Sequence, residues 1–114
     1  MVLRSTPHDY VVILDCSGRL QSSDEIATFS KMAQRILNAG LDLVLDFQDL
    51  EAIGSTGIGE LVLLSMSARA AEKEVTIALP QTQVLEALNV ANVSSLFRIC
   101  WSLDDALGMS SEVA

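Results

Sequence analysis

The sequence predicts one α/β domain with a mixed, mainly parallel β-sheet flanked by about four α-helices. Three observations lead there. Runs of β-branched and aromatic residues alternate with apolar stripes at helical spacing. The connections between them are short, so successive strands are expected to run parallel through right-handed crossovers. The chain has 114 residues and is 50% apolar, enough to bury a core without disulfides or metals. Residues 1–114 read as a single domain with its core in residues 10–107, and only residues 110–114 read as disordered.

Each element has its own signal. Residues 2–4 read as a short edge strand and Pro7-His8-Asp9 as a turn, giving the sheet an antiparallel edge. Tyr10-Val11-Val12-Ile13-Leu14 is a continuous β-forming run and reads as a buried strand, broken by Ser17-Gly18-Arg19. Ser22 with Glu25 three residues later makes a capping box. Ile26, Phe29, Ala33, Ile36 and Leu37 follow as one apolar stripe, and Gly40 supplies a left-handed stop. Leu43-Val44-Leu45 reads as a central strand ending at Asp46. Residues 49–53 read as a connection, and the Gly54-Ser55-Thr56-Gly57 loop leads into a helix over residues 58–71. Val75-Thr76-Ile77-Ala78-Leu79 is the next strand, ended by Pro80. Residues 82–90 form a short helix with Val84, Leu85 and Leu88 inward. Residues 96–100 are the last strand, and Asp104-Asp105-Ala106-Leu107 begins a terminal helix.

Composition narrows the function classes. A net charge of −8, from 15 acidic and 7 basic side chains, opposes nucleic acid. Affinity for phosphate backbones comes from Lys and Arg displacing counterions. A basic protein surface suits this charge better, and solubility is its plainer use. No apolar stretch approaches the roughly 20 residues of a membrane span. Residues 1–8 lack the basic start and apolar middle of a signal peptide, so the expectation is a cytoplasmic protein with no membrane insertion. Cys16 and Cys100 end two apolar runs and read as buried small hydrophobes. His8 is the one histidine, so no metal or cofactor is expected.

Motifs of catalysis are missing. There is no phosphate-binding Gly-x-x-x-x-Gly-Lys-Ser, no Gly-x-Ser-x-Gly elbow and no carboxylate pair that stands out. Ser55 or Cys16 as a nucleophile lacks a base, so the chain is not read as an enzyme. What stands out is Gly54-Ser55-Thr56-Gly57-Ile58-Gly59, two hydroxyls between glycines at the mouth of a helix. A phosphate placed there meets favourable N–H dipoles. A serine at this point can carry one without unfolding the helix, adding about −1.5 to −2 charges. The same residues also suit a plain N-cap with glycines for packing. Beyond the loop, Ile58, Leu61, Val62, Ser65 and Ala68 form a stripe, while Leu63, Leu64 and Met66 lie elsewhere around the helix. Such a helix is either wedged between layers or exposes a binding patch, and both readings stand. Asp15 and Asp46, at strand ends, read either as solvated termini or as groups that position Ser55 or meet a partner.

Taken together, these residues resemble the STAS domain of the bacterial anti-sigma factor antagonist type. Val11-Val12-Ile13-Leu14 followed by Gly18-Arg19-Leu20 resembles the family's second strand and its Gly-x-Leu turn. Leu43-Val44-Leu45-Asp46 is similar to its strand ending in aspartate, and Ile53-Gly54-Ser55-Thr56-Gly57-Ile58-Gly59 to its Asp-Ser-Ser/Thr-Gly-Leu-Gly signature. Leu85-x-x-Leu88 and the stretch from Asn92 to Phe97 match the next helix, turn and strand. Two positions depart: Gly54 stands in place of the family aspartate, and Asn92 where glycine is frequent.

The resemblance implies a non-catalytic binding switch. A serine-kinase anti-sigma factor would bind the unphosphorylated form, phosphorylate Ser55 and thereby lose its hold, and a PP2C-type phosphatase would restore the serine. It places the partner surface at Ser17, Gly18, Arg19, Leu20, Gly54, Ser55, Thr56, Gly57, Ile58, Glu60 and Leu61. The protein would be a monomer or weak dimer. The alternative is an adaptor with no phosphoswitch, such as a subunit of a transporter complex or a signalling scaffold.

Overall fold

The structure, a computed structural model, describes residues 1–108; the expected disorder at residues 110–114 lies outside the described residues. The elements are β1 (Val2–His8), β2 (Val11–Leu20), α1 (Ser23–Asn38), β3 (Asp42–Asp46), β4 (Leu50–Ile53), α2 (Ser55–Ala70), β5 (Val75–Ala78), α3 (Thr82–Val90), a short 3-10 turn (Ser94–Leu96), β6 (Arg98–Cys100) and α4 (Leu103–Ala106). The sheet order is β1-β2-β3-β5-β6, with β4 pairing β2 off this path. β1 runs antiparallel to β2 and every other pairing is parallel, so the sheet is mixed and mainly parallel, with four α-helices.

Alternation along the strands divides the core. Leu14, Cys16, Leu43, Leu45, Val75 and Ile77 pack with Phe29, Ile36, Leu61, Leu64 and Leu88 in the main cluster. Their neighbours Ile13, Val44 and Ala78 turn to the other face, where Cys100 and Ala106 of α4 complete a smaller cluster. Strands covered on both faces need no polar alternation, which is why Leu43-Val44-Leu45 in β3 runs apolar without a break and every residue of β5 is buried. The α1 stripe buries Ile26, Phe29, Ala33, Ile36 and Leu37, the five positions that the helical period selects. Cys16 and Cys100 are both buried free thiols.

Several boundaries differ from the sequence reading. β1 extends through His8, and the turn falls on Asp9 and Tyr10, because Pro7 sits in an edge strand where its missing N–H costs no ladder bond. Ser17-Gly18-Arg19 does not end β2; the strand continues over a bulge at Gly18 and Arg19, with Gly18 at φ 106°. Residues 50–53 are not a plain connection but β4, which pairs with that extension of β2. The last strand begins at Arg98, since Ser94–Leu96 curl into a 3-10 turn. In α2 the buried stripe is Gly57, Leu61, Leu64 and Ala68, shifted from the expected one, and Leu64 is inside. Leu63 and Met66 remain exposed, so the helix is wedged on one side and bare on the other.

Candidate functional site

Two helices start side by side at the carboxyl ends of β2 and β4. Leu20 pairs with Ile53, and the Gly54 N–H donates to the Leu20 carbonyl at 3.1 Å. The two starts are chemically unlike. At α1, Ser22 Oγ accepts from the Glu25 N–H at 3.2 Å, and Glu25 Oε1 accepts from the Ser22 N–H at 2.8 Å and the Gln21 N–H at 3.1 Å. These N–H groups hold the Glu25 carboxyl below the usual carboxylate range. At α2, Gly54 is the N-cap, makes no side-chain cap bond, and is followed by no acidic residue in the first turn. The first intrahelical bond of α2 runs from the Ile58 N–H to the Gly54 carbonyl at 3.0 Å. The earlier N–H groups have no partner within the helix. Ser55 and Thr56 are exposed on this open turn. The Gly54-Ser55-Thr56-Gly57 segment is therefore a cap and a first helical turn, not a free loop.

Gly57 fixes how closely α2 approaches the sheet. A Cβ there would lie 2.5 Å from the Leu20 carbonyl oxygen and 3.0 Å from Ile53 Cγ1. Only glycine fits this contact. Gly54 is different: a Cβ would meet nothing nearer than Gln21 Cγ at 3.6 Å, and its backbone at φ −93° is open to any residue. Geometry leaves room for the side chain that the family signature carries there.

The expected partner residues separate by burial. Arg19, Ser55 and Thr56 are exposed, and Ser17, Gly18, Gly54, Ile58 and Glu60 are half-buried. Leu20 and Leu61 are fully buried and Gly57 is buried, so these three lie under the surface and shape it from below. Sequence reasoning did not find the other wall of the site. A groove of about 550 Å³ runs between Ser55 and Ile58 on α2 and Gln83, Glu86, Ala87 and Val90 on α3. Gln83 Nε2 donates to the Glu51 carbonyl at 3.1 Å, which ties α3 to β4 beside the serine. Val90 lies off the buried Val84 and Leu88 stripe of α3, and the structure leaves this branched apolar residue bare at the helix end.

Of the two strand-end carboxylates, Asp15 is half-buried and Asp46 is buried. Asp15 and Asp46 stand opposite each other in the parallel register of β2 and β3. Asp46 is 6% exposed, not a solvated terminus, and its Oδ1 accepts from the Gln48 N–H at 3.0 Å to shape the turn into β4. Burial pushes its carboxyl above the usual range, with Asp15 and Asp49 adding to the shift and the Gln48 N–H opposing it. Cys16 is fully buried, and burial first, then Asp15 and Asp46, push its thiol well up. A thiol so placed stays protonated and is no nucleophile.

This order of strands and helices is that of a known domain class. The chain belongs to the STAS domain family, whose sequence model matches residues 3–106. Among solved structures, a candidate anti-sigma factor antagonist of Thermotoga maritima superposes with a TM-score of 0.85 at 23% identity, covering 93% of this chain and 92% of that one. The anti-sigma factor antagonist SpoIIAA in its unphosphorylated form gives 0.82 at 11% identity, covering 99% of both chains. An anti-sigma factor antagonist from Mycobacterium paratuberculosis gives 0.82 at 18%, covering 94% of this chain and 91% of that one. No curated protein sequence matches the chain. Among the described residues no helix is long and apolar enough to cross a membrane.

Proposed function

We propose that this protein is a non-enzymatic partner switch of the anti-sigma factor antagonist kind, controlled by phosphorylation of Ser55. The carrying observation is the exposed Ser55 hydroxyl on a helix start that has no side-chain cap. In its unphosphorylated form the protein binds a serine-kinase anti-sigma factor across Ser17, Gly18, Arg19, Gly54, Thr56, Ile58 and Glu60, with the groove against α3 taking an apolar side chain of the partner. Phosphate on Ser55 is held by the open N–H groups, so the helix survives. It also places a dianion at the rim of an apolar groove that already carries Glu86, where desolvation and repulsion remove the partner. A PP2C-type phosphatase resets the serine. Structural likeness to SpoIIAA, which has been solved in a phosphorylated form, supports this reading. The test is incubation with a serine-kinase anti-sigma factor and ATP, then mass spectrometry of the sites modified. Phosphate confined to Ser55 is expected, and phosphate absent from it defeats the switch.

Gly54 favours a second reading, a STAS adaptor without a phosphoswitch. Murine Slc26a9, an anion transporter, contains a region that superposes on 95% of this chain with a TM-score of 0.73 at 18% identity, over 19% of its own length. An adaptor keeps its partner when Ser55 becomes Asp, whereas the switch loses it.

A further inference from the structure

The far end of α2 carries a feature that the switch does not use. We infer that a cleft between the α2 C-terminus and the β6 edge binds a small phosphate-bearing molecule with an apolar body. Only seven side chains in this chain are Lys or Arg, against 15 carboxylates. Three of them, Arg69, Lys73 and Arg98, line one cleft of about 490 Å³, in which Glu74 is the single carboxylate among the described residues. Local charge is therefore positive on a protein of net charge −8. Walls of one sign concentrate field and counter-ion. The volume lies within the range of small-molecule sites.

The roles within the cleft differ. Arg98 is committed to the fold: its guanidinium donates to the Ala106 and Asp105 carbonyls of α4 and lies 3.8 Å from Glu74 Oε1. The side chains of Arg69 and Lys73 make no hydrogen bond or ion pair among the described residues, which leaves their donors for a ligand. Leu96, 39% exposed, supplies apolar surface to the lining beside Ser65 and Ser95, while Ala68, Val75 and Phe97 are buried. Two free cations beside the exposed Leu96 match a dianion attached to a flat or aliphatic group. A long polyanion is disfavoured, because the rest of the acidic surface repels it. Fourteen residues separate Ser55 from Arg69, about 21 Å of helix, so this cleft and the open start of α2 are distinct anion sites.

Phenyl phosphate titrated into the full-length ¹⁵N-labelled chain tests this, with inorganic phosphate and phenol as the two halves of the probe. Saturable amide shifts are expected around Arg69, Lys73 and Phe97, with tighter binding of phenyl phosphate than of either half. The double variant Arg69→Glu and Lys73→Glu should weaken it at least tenfold while leaving the amides of α1 and β3 in place. Arg98 stays unsubstituted because it holds α4. Shifts centred on Ser55 and Gly57, no saturation, or equal affinity in the variant each overturn the inference.

Discussion

Gly54 and Gly57 lie three residues apart in one helix turn, yet they answer to different constraints. Gly57 is a packing necessity. Its replacement by Ala drives a methyl into the Leu20 carbonyl and Ile53. Overpacking of this kind costs about 1–3 kcal/mol, and urea denaturation should read that loss. Gly54 is free of such pressure. Gly54→Asp should fold with stability within about 0.5 kcal/mol of the parent, because an aspartate N-cap is at least as good as glycine. Asp46 gives a pH signature. Its carboxyl is raised in the folded state, so its protonated form favours folding. That contribution is complete below the ordinary carboxylate range and is lost as pH rises through the raised value. Asp46→Asn keeps an acceptor for the Gln48 N–H without the charge. Its stability-versus-pH curve should be flatter than the parent's and higher at neutral pH; parallel curves would contradict the assignment.

At the scale of elements, three helices end in the same way. Gly40, Glu72 and Asn92 follow the C-caps of α1, α2 and α3 with φ of 80°, 58° and 60°. Each is followed by a residue whose N–H reaches back to the third residue from the helix end: Leu41 to Ile36, Lys73 to Ala68 and Val93 to Leu88. This is the Schellman arrangement. Gly40 and Asn92 announce it in the sequence, since both residue types tolerate the left-handed region. Glu72 does not, and the exposed residue is held there by the two bonds around it. Glu72→Gly should therefore stabilise the protein by about 1 kcal/mol, visible as a rise in the thermal midpoint. β4 was hidden for a related reason. Leu50 buried, Glu51 exposed and Ala52 half-buried is a two-residue period, but four residues are too few to separate a strand from a turn. Pairing with the bulged end of β2 makes it a strand.

Across the whole molecule, charge and stability come apart. Ser55→Asp leaves the core untouched and adds one charge to an exposed helix start. Its thermal midpoint should match the parent's. Its affinity for a serine-kinase anti-sigma factor, measured by calorimetry, should fall by more than tenfold, about 1.4 kcal/mol. Retained affinity would move the protein to the adaptor class. Because the partner is expected to be basic, association of the parent should also slow as salt rises, by screening of opposite fields.

The sequence by itself determined the class of fold, the α1 stripe from Ile26 to Leu37, its capping box and the hydroxyl pair at Ser55 and Thr56. These depend on local period and spacing, which the chain carries in order. Tertiary structure alone decided which expected partner residues reach the surface. Leu20, Gly57 and Leu61 went under because α2 packs against the end of β2 at glycine distance. It also decided that α3 walls the serine and that three scattered cations share one cleft. Those are contacts between residues far apart in the chain, and no local pattern encodes them.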